Sequence, residues 1–153
     1  MTTIKSGKKF LLVSLLLCFS ASFLSGCSNR QVQKAEDLKI INKAQNSRII
    51  LLDVYHNRCE SCKQIEPVMK QLEETYGQNP DIAFLKYDLS NPFTIFRSRK
   101  TAKKLGLENI YKLQRYSGVV LVINTKSKQI VETLIAEYDI EKYKSALEKF
   151  ITQ

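Results

Sequence analysis

The chain has 153 residues, four cysteines, five glycines, three prolines and a formal charge of +9, with 44% hydrophobic and 25% charged residues. That length suits one domain, and cysteine, glycine and proline are too scarce for collagen, low-complexity disorder or a disulfide-stapled miniature. The basic excess is the usual mark of nucleic-acid binding, but part of it sits in a segment that the mature chain is expected to lack.

Lys5, Lys8 and Lys9 precede an apolar run from Phe10 to Phe23, followed by Leu24-Ser25-Gly26-Cys27. A basic start, a short apolar stretch and small residues before a cut site define a secretory signal. The run is shorter than the roughly 20 apolar residues of a spanning helix. Leu-Ser-Gly-Cys resembles the lipobox of bacterial lipoproteins. That resemblance implies a signal peptide over 1–26, removal of Cys18 with it, and acylation of Cys27 (palmitate among the acyl groups) as the first mature residue. Such a chain works outside the cytoplasm, held to the lipid membrane at the cell surface or in the periplasm, because two or three acyl chains suffice for stable anchoring. Ser28, a non-Asp residue after the cysteine, permits export to the outer membrane under the sorting rule of some two-membrane bacteria. The alternative is an ordinary signal peptide or an uncleaved anchor. Cleavage removes three lysines and no acid, so the mature charge is +6. Nucleic acid is not expected as a partner, and a monomer is.

Residues 27–47 read as a lipidated N-terminus and polar spacer, with Leu38, Ile41 and Ala44 predicting a short helix over about 34–44. A domain is expected over 48–153. Ile49–Tyr55 is a nearly continuous apolar run, as in a central strand covered on both faces. Ile65, Val68, Met69, Leu72 and Tyr76 fall at helical spacing and stop near Gly77. Ile82–Tyr87 is a second strand. Asn91-Pro92 predicts a capped helix running to Leu105 and Gly106. Val119–Ile123 and Ile130–Ile135, joined by a short polar turn, predict an antiparallel hairpin. Asp139 caps a last helix carrying Ile140, Tyr143, Leu147 and Phe150. The order (α)βαβαββα predicts an α/β fold, one mixed central sheet with helices on both faces. Tyr55, Tyr87, Tyr143 and Phe150 are read as core. Arg97, Arg99, Lys100, Lys103 and Lys104 form a cluster without an acid; it reads as a solvated helix face or as a contact for anionic headgroups or an acidic partner.

The chemistry-bearing motif is Cys59-Glu60-Ser61-Cys62, where the first strand ends and a helix begins. Backbone N–H groups at a helix N-terminus favour a thiolate. One turn separates the two sulfurs, so Cys59 can act as the accessible nucleophile and Cys62 as the sheltered resolving thiol. Zinc would need further ligands, and His56, the single histidine, supplies at most one. A disulfide kept only for structure, in a non-catalytic binding module, is the other alternative. Asp53, inside an apolar strand, should be buried with a raised pKa. There it could take the proton from Cys62.

The segment Leu51–Pro67 resembles the active-site segment of thioredoxin. Asp53 lies six residues before the first cysteine, Lys63 follows the second, and Pro67 lies five after it. Asp88, after the second strand, also fits. The resemblance extends over 48–152. It implies a thioredoxin-like fold and a thiol–disulfide oxidoreductase with Cys59, Cys62 and Asp53 as catalytic residues and the Cys59–Cys62 pair as the redox-active disulfide. Protein disulfides are the implied substrates, no cofactor is needed, and a reductase would draw on a membrane thiol electron donor. Pro67 reads as a structural kink. Glu60 resembles the Cys-Glu-Pro-Cys of tethered, reducing thioredoxins, and Arg58 replaces the usual tryptophan. The chain departs from the family in two places. Ser117 or Gly118 stands where the cis-proline belongs, and Glu108–Tyr116 is an extra stretch, expected as a helical turn or a loop flanking the active site.

Overall fold

The computed structural model describes residues 25–151. The leader expected before them lies outside the described residues, and Cys27 is described in its backbone alone, as part of the first helix. The chain divides into two compact units, 1–37 and 38–153. The first helix, α1 (Ser25–Asn46), is longer than the 34–44 expected. Its last turns belong to the second unit, and Ile41 and Ala44 are buried in that unit's core. The end of the expected spacer is therefore part of the folded domain.

The remaining elements are β1 (Ile49–Tyr55), α2 (Glu60–Tyr76), β2 (Ile82–Asp88), α3 (Pro92–Leu105), α4 (Glu108–Leu113), β3 (Val119–Asn124), β4 (Gln129–Ile135) and α5 (Ile140–Ile151). They form one four-stranded sheet of order β2-β1-β3-β4. β1 runs parallel to β2, with Asp53 opposite Lys86, and antiparallel to β3, with Asp53 opposite Val120. β3 and β4 make the expected antiparallel hairpin, with an irregularity at Val122/Ile123.

The apolar run of β1 is central because both its faces are covered. Successive strand residues point to opposite faces. Ile50, Leu52 and Val54 pack with residues of α1, α3 and α4. Ile49 and Leu51 pack with Ile65, Leu72 and Tyr143 from α2 and α5. Each fully buried Leu or Ile contributes roughly 1.5–3 kcal/mol of apolar burial. Of the four aromatics read as core, Tyr87 and Tyr143 are fully buried, whereas Tyr55 and Phe150 are half-buried.

The helix ends follow local chemistry. Asn91 accepts from the N–H groups of Phe93 and Thr94 at 3.0 Å each, and Thr94 closes the capping box. Gly106, at φ 69°, ends α3 in the left-handed conformation. Asp139 accepts from Glu141 N–H at 2.9 Å at the start of α5. The extra stretch after Leu107 resolves into α4 and a tail. α4 buries Ile110 and Tyr111, and Tyr111 packs on Tyr87 with ring centroids 4.2 Å apart. Its helical part thus closes the core, and only the tail leads to the cysteines, through Gly118.

Candidate active site

β1 delivers the chain to its C-terminal end, and a tight loop, His56–Cys59, turns it into α2. The N–H of Cys59 donates to the His56 carbonyl at 3.0 Å. The N–H of Arg58 donates to His56 Nδ1 at 3.0 Å, so that ring nitrogen is already engaged. Two bonds tie this turn to the end of β2: Leu89 N–H to the Tyr55 carbonyl at 2.8 Å, and Asn57 N–H to Ser90 Oγ at 3.0 Å. The loop is thereby fixed between two parallel strands.

Cys59 is the N-cap of α2. Its Sγ accepts the N–H of Cys62 at 3.1 Å, so a backbone donor satisfies the sulfur at the positive end of a 17-residue helix. Cys59 is only partly buried, whereas Cys62 is 1% exposed. The sulfurs are paired as a disulfide, with Cα atoms 5.2 Å apart. Cys62 Sγ lies 3.9 Å from the Val54 carbonyl oxygen. Lys63 pairs with Glu60 at 3.0 Å on the exposed side of the helix, which offsets the acid beside the nucleophile.

Asp53 has the same strand parity as Ile49 and Leu51 and so faces the α2/α5 side, where the cysteine-bearing helix packs. It is 6% exposed, and its Oδ1 is a buried side-chain atom with no hydrogen-bond partner. Burial pushes the carboxyl up to about 6, with Glu66, Glu73 and Asp88 adding repulsion. Lys86, its cross-strand neighbour, pulls the other way, but its Nζ sits 3.7 Å over the Tyr55 ring rather than on the carboxylate. An acid raised to about 6, mostly carboxylate at pH 7 and so able to accept a proton, is thus held on the face of the sheet that carries Cys62.

Gly118 occupies the place expected for the proline. Its N–H donates to the Val54 carbonyl at 2.9 Å, and its own carbonyl accepts from Ala136 at 2.9 Å. At φ 77° it is left-handed, and a β-carbon there would lie 3.0 Å from Ser61 Cβ and 3.3 Å from Cys59 Sγ. Proline, with φ near −65° and no N–H, does not fit this backbone. The bare glycine instead lets the strand approach the cysteine pair closely.

Three contributors had no signal in the sequence. Tyr138 donates to Ser61 Oγ at 3.2 Å, reaching into the motif from 77 residues away. Lys86 enters only through strand register, and Ser90 only through its bond to the loop. Among the described residues, no group of three or more His, Cys, Asp and Glu side chains is arranged to hold a metal.

The thioredoxin family model matches residues 29–113. A chloroplastic thioredoxin F-type of Brassica napus is 38% identical over 82 residues, 52% of this chain and 41% of the relative. A thioredoxin of Coprinus comatus is 34% identical over 70 residues, 45% of this chain and 65% of the relative. The chain thus spans about two-fifths of the length of the Brassica relative. Among solved structures, the reduced thioredoxin pre-protein of Schistosoma mansoni shares 23% identity, covers 75% of this chain and 90% of its own, and has a TM-score of 0.47. The family model covers more than half of the sequence and includes both cysteines and Asp53: this chain belongs to the thioredoxin family.

Proposed function

We propose that the protein is a lipid-anchored, extracytoplasmic thiol–disulfide oxidoreductase that reduces disulfides in other proteins. The observation that carries the reading is the asymmetry of the pair, with Cys59 partly accessible at a helix cap and Cys62 buried one turn inside. In the reduced chain the Cys59 thiolate, stabilised by the Cys62 N–H, attacks one sulfur of a substrate disulfide. The other substrate sulfur leaves as a thiolate, and a mixed disulfide forms. Asp53 takes the proton of Cys62, whose thiolate attacks Cys59 Sγ and releases the second substrate thiol. Two electrons pass to the substrate, and the chain is left as the Cys59–Cys62 disulfide. A membrane dithiol donor then returns the electrons.

Support for the anchor is the order of Lys5–Lys9, the apolar run and Leu24–Cys27. Cys59→Ser should abolish reduction of a model disulfide, while Cys62→Ser should accumulate mixed disulfides with its substrates. Undiminished turnover in Cys59→Ser would sink the enzymatic reading.

A further inference from the structure

The basic cluster on α3 is not used by the thiol chemistry. The inward side of α3 buries Ser98, Ala102 and Leu105. At 100° per residue, Phe93, Phe96, Lys100 and Lys103 fall on the opposite side, one above the other. Both rings stand 67% exposed, and Arg99, Lys100, Lys103 and Lys104 are exposed with them. α3 contains no acidic residue. Past its C-terminus the Lys128 side chain comes within 3.8 Å of the place a β-carbon on Gly106 would take, which adds another cation at that end.

We infer that this outward stripe of α3 docks on an anionic phospholipid surface. Charge complementarity requires a negative partner. The two protruding rings at one end, with amines further along the same stripe, match a bilayer boundary: aromatic rings enter the edge of the acyl region while the cations meet phosphates. A folded acidic protein would need a pocket for each ring, whereas a bilayer accepts both without one. The inference goes beyond the proposed anchor, which it uses only as a reason for the domain to meet a membrane often.

The chain contains no tryptophan, so Phe96→Trp introduces a single fluorescent reporter. The mature full-length variant, isolated from membranes, is mixed with phosphatidylcholine vesicles that carry brominated acyl chains, with or without phosphatidylglycerol. Flotation measures whether the chain is on the vesicles; quenching measures whether α3 touches them. On anionic vesicles the indole should shift to the blue and be quenched. Lys100→Glu/Lys103→Glu in the same background should weaken the quenching at least about tenfold, as should high salt, with model-disulfide reduction unchanged. A vesicle-bound chain whose indole is unquenched on anionic lipid overturns the inference while leaving the anchor intact. So does an indole that responds to polyglutamate and not to lipid, which assigns the face to an acidic polypeptide. A chain that fails to float on neutral vesicles yet is quenched on anionic ones rejects the anchor and supports the docking surface.

Discussion

Burial leaves the Asp53 carboxyl with an unpartnered oxygen and a pKa of about 6 in place of 3.8. A folded-state value above the unfolded one means that the native chain holds this proton more tightly. Its contribution to stability is therefore fully present below about pH 4 and is lost as the pH rises through about 6. A rise from 3.8 to about 6 corresponds to about 3 kcal/mol. Asp53→Asn should accordingly stabilise the chain by up to about that amount at pH 8, with the gain shrinking as pH falls from 6 to 4, measured by urea unfolding. The same substitution should slow release of the mixed disulfide by roughly 10²-fold and remove the rise of that step across pH 6. Unchanged release kinetics would mean that the acid does no proton work. Gly118 makes the second test at this scale. Gly118→Ala incurs about 1–2 kcal/mol for the left-handed backbone and pushes a methyl group toward Cys59 Sγ, 3.3 Å away. The variant should melt at lower temperature, and its reduced Cys59 should alkylate more slowly. The burial of Asp53 was legible in the sequence, because a carboxylate inside Ile49–Tyr55 has nowhere polar to go. The left-handed Gly118 was not, since it depends on the meeting of β1, β3 and the turn after β4.

At the scale of elements, the strands were the easiest to read. β1 is the run expected, and the other three differ from expectation by a single residue at one end. Apolar runs bounded by Gly, Pro, Asn and Asp state their own limits. The helix ends were readable where a side chain caps them, as Asn91 and Asp139 do. α1 outruns its expected length because the sequence Ser28–Lys34 offers no apolar period: Val32 is its one apolar residue, and it is 55% exposed. The role of α4 escaped for the opposite reason, since Ile110 and Tyr111 are too few to make a period. Asn91 tests the reading of α3 as a cap-dependent helix. Asn91→Ala removes both accepted N–H bonds and should cost about 1 kcal/mol in urea unfolding, with the Cys59–Cys62 potential unchanged. A shifted potential would show that the N-terminus of α3, tied to the loop through Ser90, helps to set the cysteines.

For the whole molecule, the two halves of the proposal occupy different parts of the chain. Core packing in the second unit begins at Ile41, and that unit itself begins at Leu38. Cys27 lies in the first unit, and Cys59, Cys62 and Asp53 in the second. Removing the Cys27 thiol, the proposed acylation site, should thus separate location from chemistry. Cys27→Ser expressed in a bacterium should incorporate no labelled palmitate, whereas the parent chain is labelled. Reduction of a soluble model disulfide should be unaffected, because no residue that positions the pair is touched. Reduction driven by a membrane dithiol should fall several-fold, since two tethered partners meet at a far higher effective concentration than a free one and a tethered one. Undiminished labelling would move the lipid to another residue. Loss of labelling with full membrane-driven turnover would show that the donor reaches the pair without the tether.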